Sequence, residues 1–221
     1  MSRIHGFIRR QIYRFLPTRE IFRSIYRTNA WGDMESVSGP GSNPELTAAI
    51  RAALPDILHD LQVRTLLDAP CGDFGWMNGL DLPIDRYIGL DIVPELVARN
   101  QSAYGSETRA FRIANIAKDP LPQTDAILCR DALVHLSTPL AQEAIRNFRR
   151  SGATWLLATT FPATMENRDI PTGEWRPLNL ERPPFSFPKP FRLIDEKCIA
   201  FQGGRWKDKA LGVWRIADLR T

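Results

Sequence analysis

The stretch Thr65-Leu66-Leu67-Asp68-Ala69-Pro70-Cys71-Gly72-Asp73-Phe74-Gly75 decides how this chain folds. A short apolar run ends in an acid and turns through proline and glycine. The apolar segment 74–80 behind the turn reads as a helix. Gly72 lacks the Cβ that would keep a ligand off the backbone, and a helix N-terminus behind it would add positive potential. By itself this marks only a ligand at a first strand-to-helix turn. The dinucleotide fingerprint G-x-G-x-x-G is absent, because Pro70 stands in place of its first glycine.

Outward from the turn, apolar runs alternate with amphipathic ones. Strands are predicted at 63–67, 87–90, 110–113, 126–129 and 154–158, and helices at 94–104 (opening on Pro94) and 139–150. Two closing strands follow at 192–199 and 211–216, joined through Gly203-Gly204. This alternation predicts a doubly wound α/β fold, an open and mainly parallel sheet covered on both faces. Such sheets bind ligands beyond the carboxyl ends of their strands, at the switch point beside strand one, so function is sought just after residues 67, 90, 113 and 129. Upstream, Ser42 with Glu45 makes a capping-box pattern with Pro44 in the first turn. The helix it opens should run through Leu46, Ile50 and Leu54, with Pro55 breaking or restarting it.

The second strand closes on Asp91, 23 residues after Asp68. A carboxylate there can accept both hydroxyls of an adenosine ribose, each charge-assisted bond contributing about 1.5–3 kcal/mol. Nicotinamide and S-adenosylmethionine cofactors share that feature. Asp91 therefore points to an adenosine and leaves the chemistry open.

Taken together, Asp68-x-Pro70-x-Gly72, Asp91, Ala114-Asn115-Ile116 and the run Thr124-Asp125 to Arg130-Asp131 and His135 resemble the class I S-adenosylmethionine-dependent methyltransferases over residues 63–160. The resemblance implies a seven-stranded sheet ending in a reversed hairpin, with S-adenosyl-L-methionine as cofactor. It implies that the turn holding Asp68, Ala69, Pro70 and Gly72 takes the methionine part, Asp91 and Ile92 the ribose side, and Asn115 and Ile116 the adenine. Arg130 and Asp131 would face the sulfonium and the acceptor. Asn115 stands where an acid is common in the family, which leaves the adenine amino group to a carbonyl oxygen.

Methyl transfer asks the protein mainly to align acceptor, methyl and sulfur, and alignment can supply up to roughly 7–11 kcal/mol. A hydroxyl acceptor also needs its proton removed, and His135 and Asp131 are the candidate catalytic residues. Acceptor recognition is expected from two irregular stretches, 31–42 and 167–179, through Trp31, Glu35, Asp169, Trp175, Arg176 and Asn179. Aromatic rings beside hydrogen-bonding groups suit a small molecule, a glycan or a glycolipid; the same residues would equally serve to pin a lid. The proline-rich segment 161–190, with prolines 171, 177, 183, 184, 188 and 190, is the expected lid or acceptor loop. Two other classes stay open, an NAD-dependent oxidoreductase and a non-catalytic adenosine-cofactor-binding module.

Composition bounds the rest. Of 221 residues, 43% are hydrophobic and 24% charged, which excludes a chain dominated by disorder. No apolar run reaches the roughly 20 residues of a membrane-spanning helix. Cys71, Cys129 and Cys198 are too few and too scattered for a disulfide framework or a zinc cluster, so a reducing, cytoplasmic setting and no metal are expected. Residues 1–28 hold seven arginines against Glu20 and carry +6, leaving −2 on residues 29–221. That balance makes nucleic acid an unlikely partner. Arg9, Arg10 and Arg14 interrupt any apolar core of a signal peptide. Ile4, Phe7, Ile8, Ile12, Phe15 and Leu16 recur at helical spacing and Pro17 stops them, with a second short helix from Thr18 to about Arg27. Residues 1–28 thus read as a basic amphipathic extension that packs on the body or contacts the inner membrane face peripherally, and 29–221 as the cofactor-binding domain.

Overall fold

A computed structural model describes residue 13, residues 15–198 and residues 201–219. Seven strands form one sheet: β1 (Thr65–Asp68), β2 (Arg86–Asp91), β3 (Arg109–Ile113), β4 (Ala126–Cys129), β5 (Trp155–Thr160), β6 (Arg192–Asp195) and β7 (Ala210–Arg215). Their order is β3-β2-β1-β4-β5-β7-β6, with β7 antiparallel to both its neighbours and the other pairs parallel. The chain reverses direction across the sheet at β1/β4, the switch point where a ligand is expected.

Helices α1 (Thr18–Arg27), α2 (Pro44–Asp60), α3 (Pro94–Tyr104) and α4 (Thr138–Arg150) cover the sheet among the described residues. Alternate strand residues feed two cores. Leu67, Ile127 and Leu156 join Ala144 and Phe148 of α4 on one face. Leu66, Leu128 and Leu157 join Ile50, Leu54 and Leu58 of α2 on the other. This two-sided burial is what near-continuous apolar strands demand.

Three expectations need correction. Pro55 does not break α2, which runs through it. A proline inside a helix costs about 3 kcal/mol, but each of the buried Ile50, Leu54, Ile57 and Leu58 contributes about 1.5–3 kcal/mol. The cap of that helix is Asn43, whose side chain accepts the Leu46 N–H at 2.9 Å, and not Ser42. Segment 74–80 forms turns instead of a helix. Phe74 sits at φ +61°, where its ring meets Tyr87 at 5.1 Å and Phe111 at 5.2 Å, and a left-handed residue cannot open a right-handed helix. No helix N-terminus therefore backs Gly72.

From residue 18 onward the N-terminal extension lies against the body. α1 packs on the body through Ile21 and Ile25. Arg23 and Arg27 donate to Glu95 at 2.7 Å each, the Arg23 bond leading in holding the Glu95 carboxyl down to about 2. The predicted helix over 4–16 lies, apart from Tyr13, Phe15 and Leu16, outside the described residues, as does position 199 of the predicted sixth strand. No described helix is long and apolar enough to cross a membrane.

Candidate functional site

A cavity opens over the carboxyl ends of β1, β2 and β4. Asp68, Pro70 and Gly72 line it from the first turn, Asp91 and Ile92 from the second, Asn115 and Ile116 from the third, and Arg130, Asp131 and His135 from the fourth. Of the first-turn residues only Ala69 stays out of it: it is fully buried and bonds its N–H to the Leu128 carbonyl at 2.8 Å.

Asp91 faces the cavity with its carboxylate already braced. Oδ1 accepts the Val93 N–H at 2.9 Å and Oδ2 the Gly72 N–H at 3.2 Å. Burial pushes its pKa up to about 6 against the pull of those bonds. Asp68 rises to about 7, again chiefly through burial, although the Tyr87 hydroxyl donates to its Oδ2 at 2.6 Å. Gly72 lies at φ +54°, and a Cβ there would meet Ser38 Oγ at 2.4 Å, so the turn needs glycine for conformation and for room. Ser38 Oγ accepts the Asp73 N–H at 2.8 Å and Ser36 Oγ donates to Asp73 at 2.7 Å. The 31–42 stretch is thereby stapled over the ligand turn. Asn115 turns on itself, Oδ1 accepting the Ala117 N–H at 3.0 Å.

After β4 the chain does not enter a helix directly. Asp131 sits at φ +53° and Leu133–His135 form a single tight 3-10 turn ahead of α4. Nδ1 of His135 lies 2.8 Å from the Glu174 carbonyl, a contact that places the proton on Nδ1 and leaves Nε2 as a lone-pair nitrogen. Burial lowers its pKa, outweighing the carbonyl and Asp131, so the ring stays neutral. The Trp31 ring lies against it, tilted by 32° with centroids 4.7 Å apart. Burial disfavours the Asp131 carboxylate, yet Lys209 and Arg130 outweigh it and hold the group below its ordinary value.

The remaining acceptor residues do not line this cavity. Glu35 is exposed. Asp169 accepts the Thr138 N–H at the start of α4 at 2.6 Å. Arg176 is buried and donates to the Leu136 carbonyl at 2.7 Å and to those of Leu133 and Val134 at 3.3 Å. Asn179 donates to the carbonyls of Pro162 and Thr164 at 3.0 Å, and Trp175 packs on Phe161 and Trp206. Within segment 161–190, Leu178, Leu180, Phe185 and Phe187 are core residues, whereas residues 162–175 are exposed or half-buried. Of the two irregular stretches only 31–42 reaches the cavity. The fourth wall, Thr18, Phe22, Ile25 and Tyr26 of α1, was not foreseen. Neither were Glu196 and Lys209, buried beneath Arg130 and Asp131. The one signal for Lys209 is a lysine heading the otherwise apolar run of β7.

No described group of histidine, cysteine and acidic residues has the arrangement of a metal site. No protein-family model and no curated protein matches the chain. Solved structures do. The methyltransferase domain of bacterial CtHen1-C is 13% identical with a TM-score of 0.56, over 77% of this chain and 98% of that one. The N-methyltransferase NodS from Bradyrhizobium japonicum WM9, in complex with S-adenosyl-L-homocysteine, is 14% identical with a TM-score of 0.51, over 63% and 72%. The magnesium protoporphyrin IX methyltransferase ChlM from Synechocystis PCC 6803, with bound S-adenosylmethionine, is 18% identical with a TM-score of 0.50, over 70% and 81%. This chain has the fold of the class I S-adenosylmethionine-dependent methyltransferases.

Proposed function

We propose that the protein is an S-adenosylmethionine-dependent methyltransferase acting on a hydroxyl oxygen of a small-molecule, glycan or glycolipid acceptor. The observation that carries the reading is the Asp91 carboxylate, facing the cavity at the switch point of a methyltransferase-fold sheet. The donor fits the residues present. Asp91 suits the ribose diol, Ile92, Ala114 and Ile116 form an apolar slot for adenine, and Asp68 beside the Gly72 turn suits the methionine ammonium. When bound, S-adenosylmethionine supplies an electrophilic methyl whose carbon–sulfur bond breaks as the carbon–oxygen bond forms, the sulfur keeping the electron pair. His135 then has one task, taking the hydroxyl proton on Nε2. The 31–42 stretch and α1 close the cavity and exclude water.

Calorimetry tests this. S-adenosylhomocysteine should bind and NAD should not, and Asp91→Ala should weaken S-adenosylhomocysteine at least tenfold, about 1.4 kcal/mol. Binding of NAD alone would establish the oxidoreductase instead, and cofactor binding without methyl transfer to any hydroxyl acceptor would leave a binding module.

We also propose that the arginine-rich N-terminal segment brings the enzyme to an anionic membrane surface. Arg23 and Arg27 are engaged by Glu95, but Arg19 is exposed, and Phe15, 86% exposed, follows in sequence the arginines at 3, 9, 10 and 14. Deleting residues 1–16 should abolish binding to phosphatidylserine vesicles at low salt while S-adenosylhomocysteine affinity persists. A full-length protein that ignores such vesicles refutes the idea.

A further inference from the structure

Three buried charges and the half-buried Asp131 close a ring under the acceptor end of the cavity. Arg130 Nη2 meets Glu196 at 2.5 Å, and Glu196 meets Lys209 Nζ at 3.2 Å. Lys209 Nζ meets Asp131 Oδ2 at 2.5 Å, and that oxygen returns to Arg130 Nη1 at 3.3 Å. The signs alternate, and side-chain exposures are 3% for Arg130, 0% for Glu196, 1% for Lys209 and 21% for Asp131. Burying such charges is costly, and replacing them with apolar residues would often cost nothing in stability. The ring therefore asks for a reason beyond folding.

Its geometry supplies one. Both cations are engaged from within, Arg130 by Glu196 and the Gly41 carbonyl at 2.8 Å, Lys209 by Asp131, Glu196 and the face of Trp206. Of the four, only Asp131 brings an uncommitted atom to the cavity, since Oδ2 holds both cations and Oδ1 takes no hydrogen bond from a described residue. Gly41 leaves room for this orientation, because a Cβ there would lie 2.6 Å from Oδ2. Four residues on, Nε2 of His135 is the second uncommitted acceptor on the same wall. Two acceptor atoms over an electrically neutral ring call for a ligand that brings two donors and no negative charge.

We propose that Lys209 and Glu196 are positioning residues of the acceptor site, and that the acceptor they serve is a neutral vicinal diol, one hydroxyl meeting Nε2 of His135 and its neighbour meeting Oδ1 of Asp131. The inference rests on the methyl-transfer reading of this site. The hydroxyl at His135 loses its proton and gains the methyl, while the one at Asp131 keeps its proton and only orients the ring that carries both.

Saturation-transfer NMR on full-length protein loaded with S-adenosylhomocysteine tests it. The probes are methyl α-D-mannopyranoside against its 3-deoxy analogue, which keeps no vicinal pair, catechol against phenol, and protocatechuate as the anionic arm. A vicinal diol should bind about tenfold tighter than its partner without the pair, and the favoured set, glycoside or catechol, identifies the source. Asp131→Asn and Lys209→Met should erase the preference, and Lys209→Arg should restore it, which a merely structural role would not do. Equal binding of vicinal-diol probes and their partners without the pair, tighter binding of protocatechuate, or no binding by any probe overturns the proposal. S-Adenosylhomocysteine affinity in the same samples separates the two readings, because its loss in the wild type would sink the methyltransferase assignment itself.

Discussion

Two irregular stretches look alike in sequence and do opposite things. Residues 31–42 and 161–190 are both rich in turn formers, and both carry tryptophan beside polar groups. The first lies over the ligand turn, with Ser36 and Ser38 on Asp73 and Trp31 on His135. The second turns inward and becomes core, its Arg176 and Asn179 bonding buried carbonyls. The difference lies in what each stretch has to bury. Leu178, Leu180, Phe185 and Phe187 fill the face of the sheet beside α4, whereas 31–42 offers Val37 and a fully exposed Met34 and adheres by hydroxyl groups. Irregular backbone is not in itself a lid; apolar content decides whether it folds in.

That contrast can be broken most forcefully at Leu180. Leu180→Ala should lower unfolding free energy by about 2–5 kcal/mol, seen in denaturant melts, with S-adenosylhomocysteine affinity of the folded fraction unchanged. A large affinity loss with intact stability would return segment 161–190 to the site. Ser38→Ala should do the reverse on a smaller scale. Losing the bond to the Asp73 N–H is worth about 1 kcal/mol, roughly a fivefold weakening of cofactor affinity by calorimetry, with little change in melting.

Proton linkage sharpens the same comparison. Asp91 and Asp68 are held up at about 6 and about 7 by burial, and ribose hydroxyls and an ammonium both favour the ionised carboxylates. Cofactor affinity should therefore rise as pH increases through 6 to 7 and level off above, with proton release on binding in that window. A flat profile would remove both carboxylates from the ligand. Neutral His135, lowered by its burial, keeps the rate independent of its own ionisation above the ordinary histidine range and costs activity only on the acid side. The smallest effect is expected at the partly exposed α1 tie, where Glu95→Gln should speed S-adenosylhomocysteine release by about twofold in stopped flow, an effect that high salt reproduces in the wild type.

Much of this was legible residue by residue. The strands beginning near residues 65, 87, 110, 126 and 155 and the helix at Pro94 follow from local apolar periodicity and a proline at the first turn. Asp68, Gly72 and Asp91 were readable because a strand-end acid and a glycine turn are short-range signatures. The helix expected after Gly72 was misread because Phe74 looks helix-compatible alone. Its left-handed turn is imposed by ring contacts with Tyr87, Tyr104 and Phe111, 13 or more residues away.

The amino-acid order alone determined the layered α/β architecture, the glycine turn after β1 and the strand-end aspartate that faces the cavity, since each depends on contacts within a few residues or on the two periodicities of helix and strand. Tertiary structure decided which loop covers the cavity and that α1 forms a wall. It also joined Arg130 to Glu196 across 66 positions and Asp131 to Lys209 across 78. A buried charge must find its counter-charge wherever the topology delivers one, and here the reversed β6–β7 hairpin delivers it.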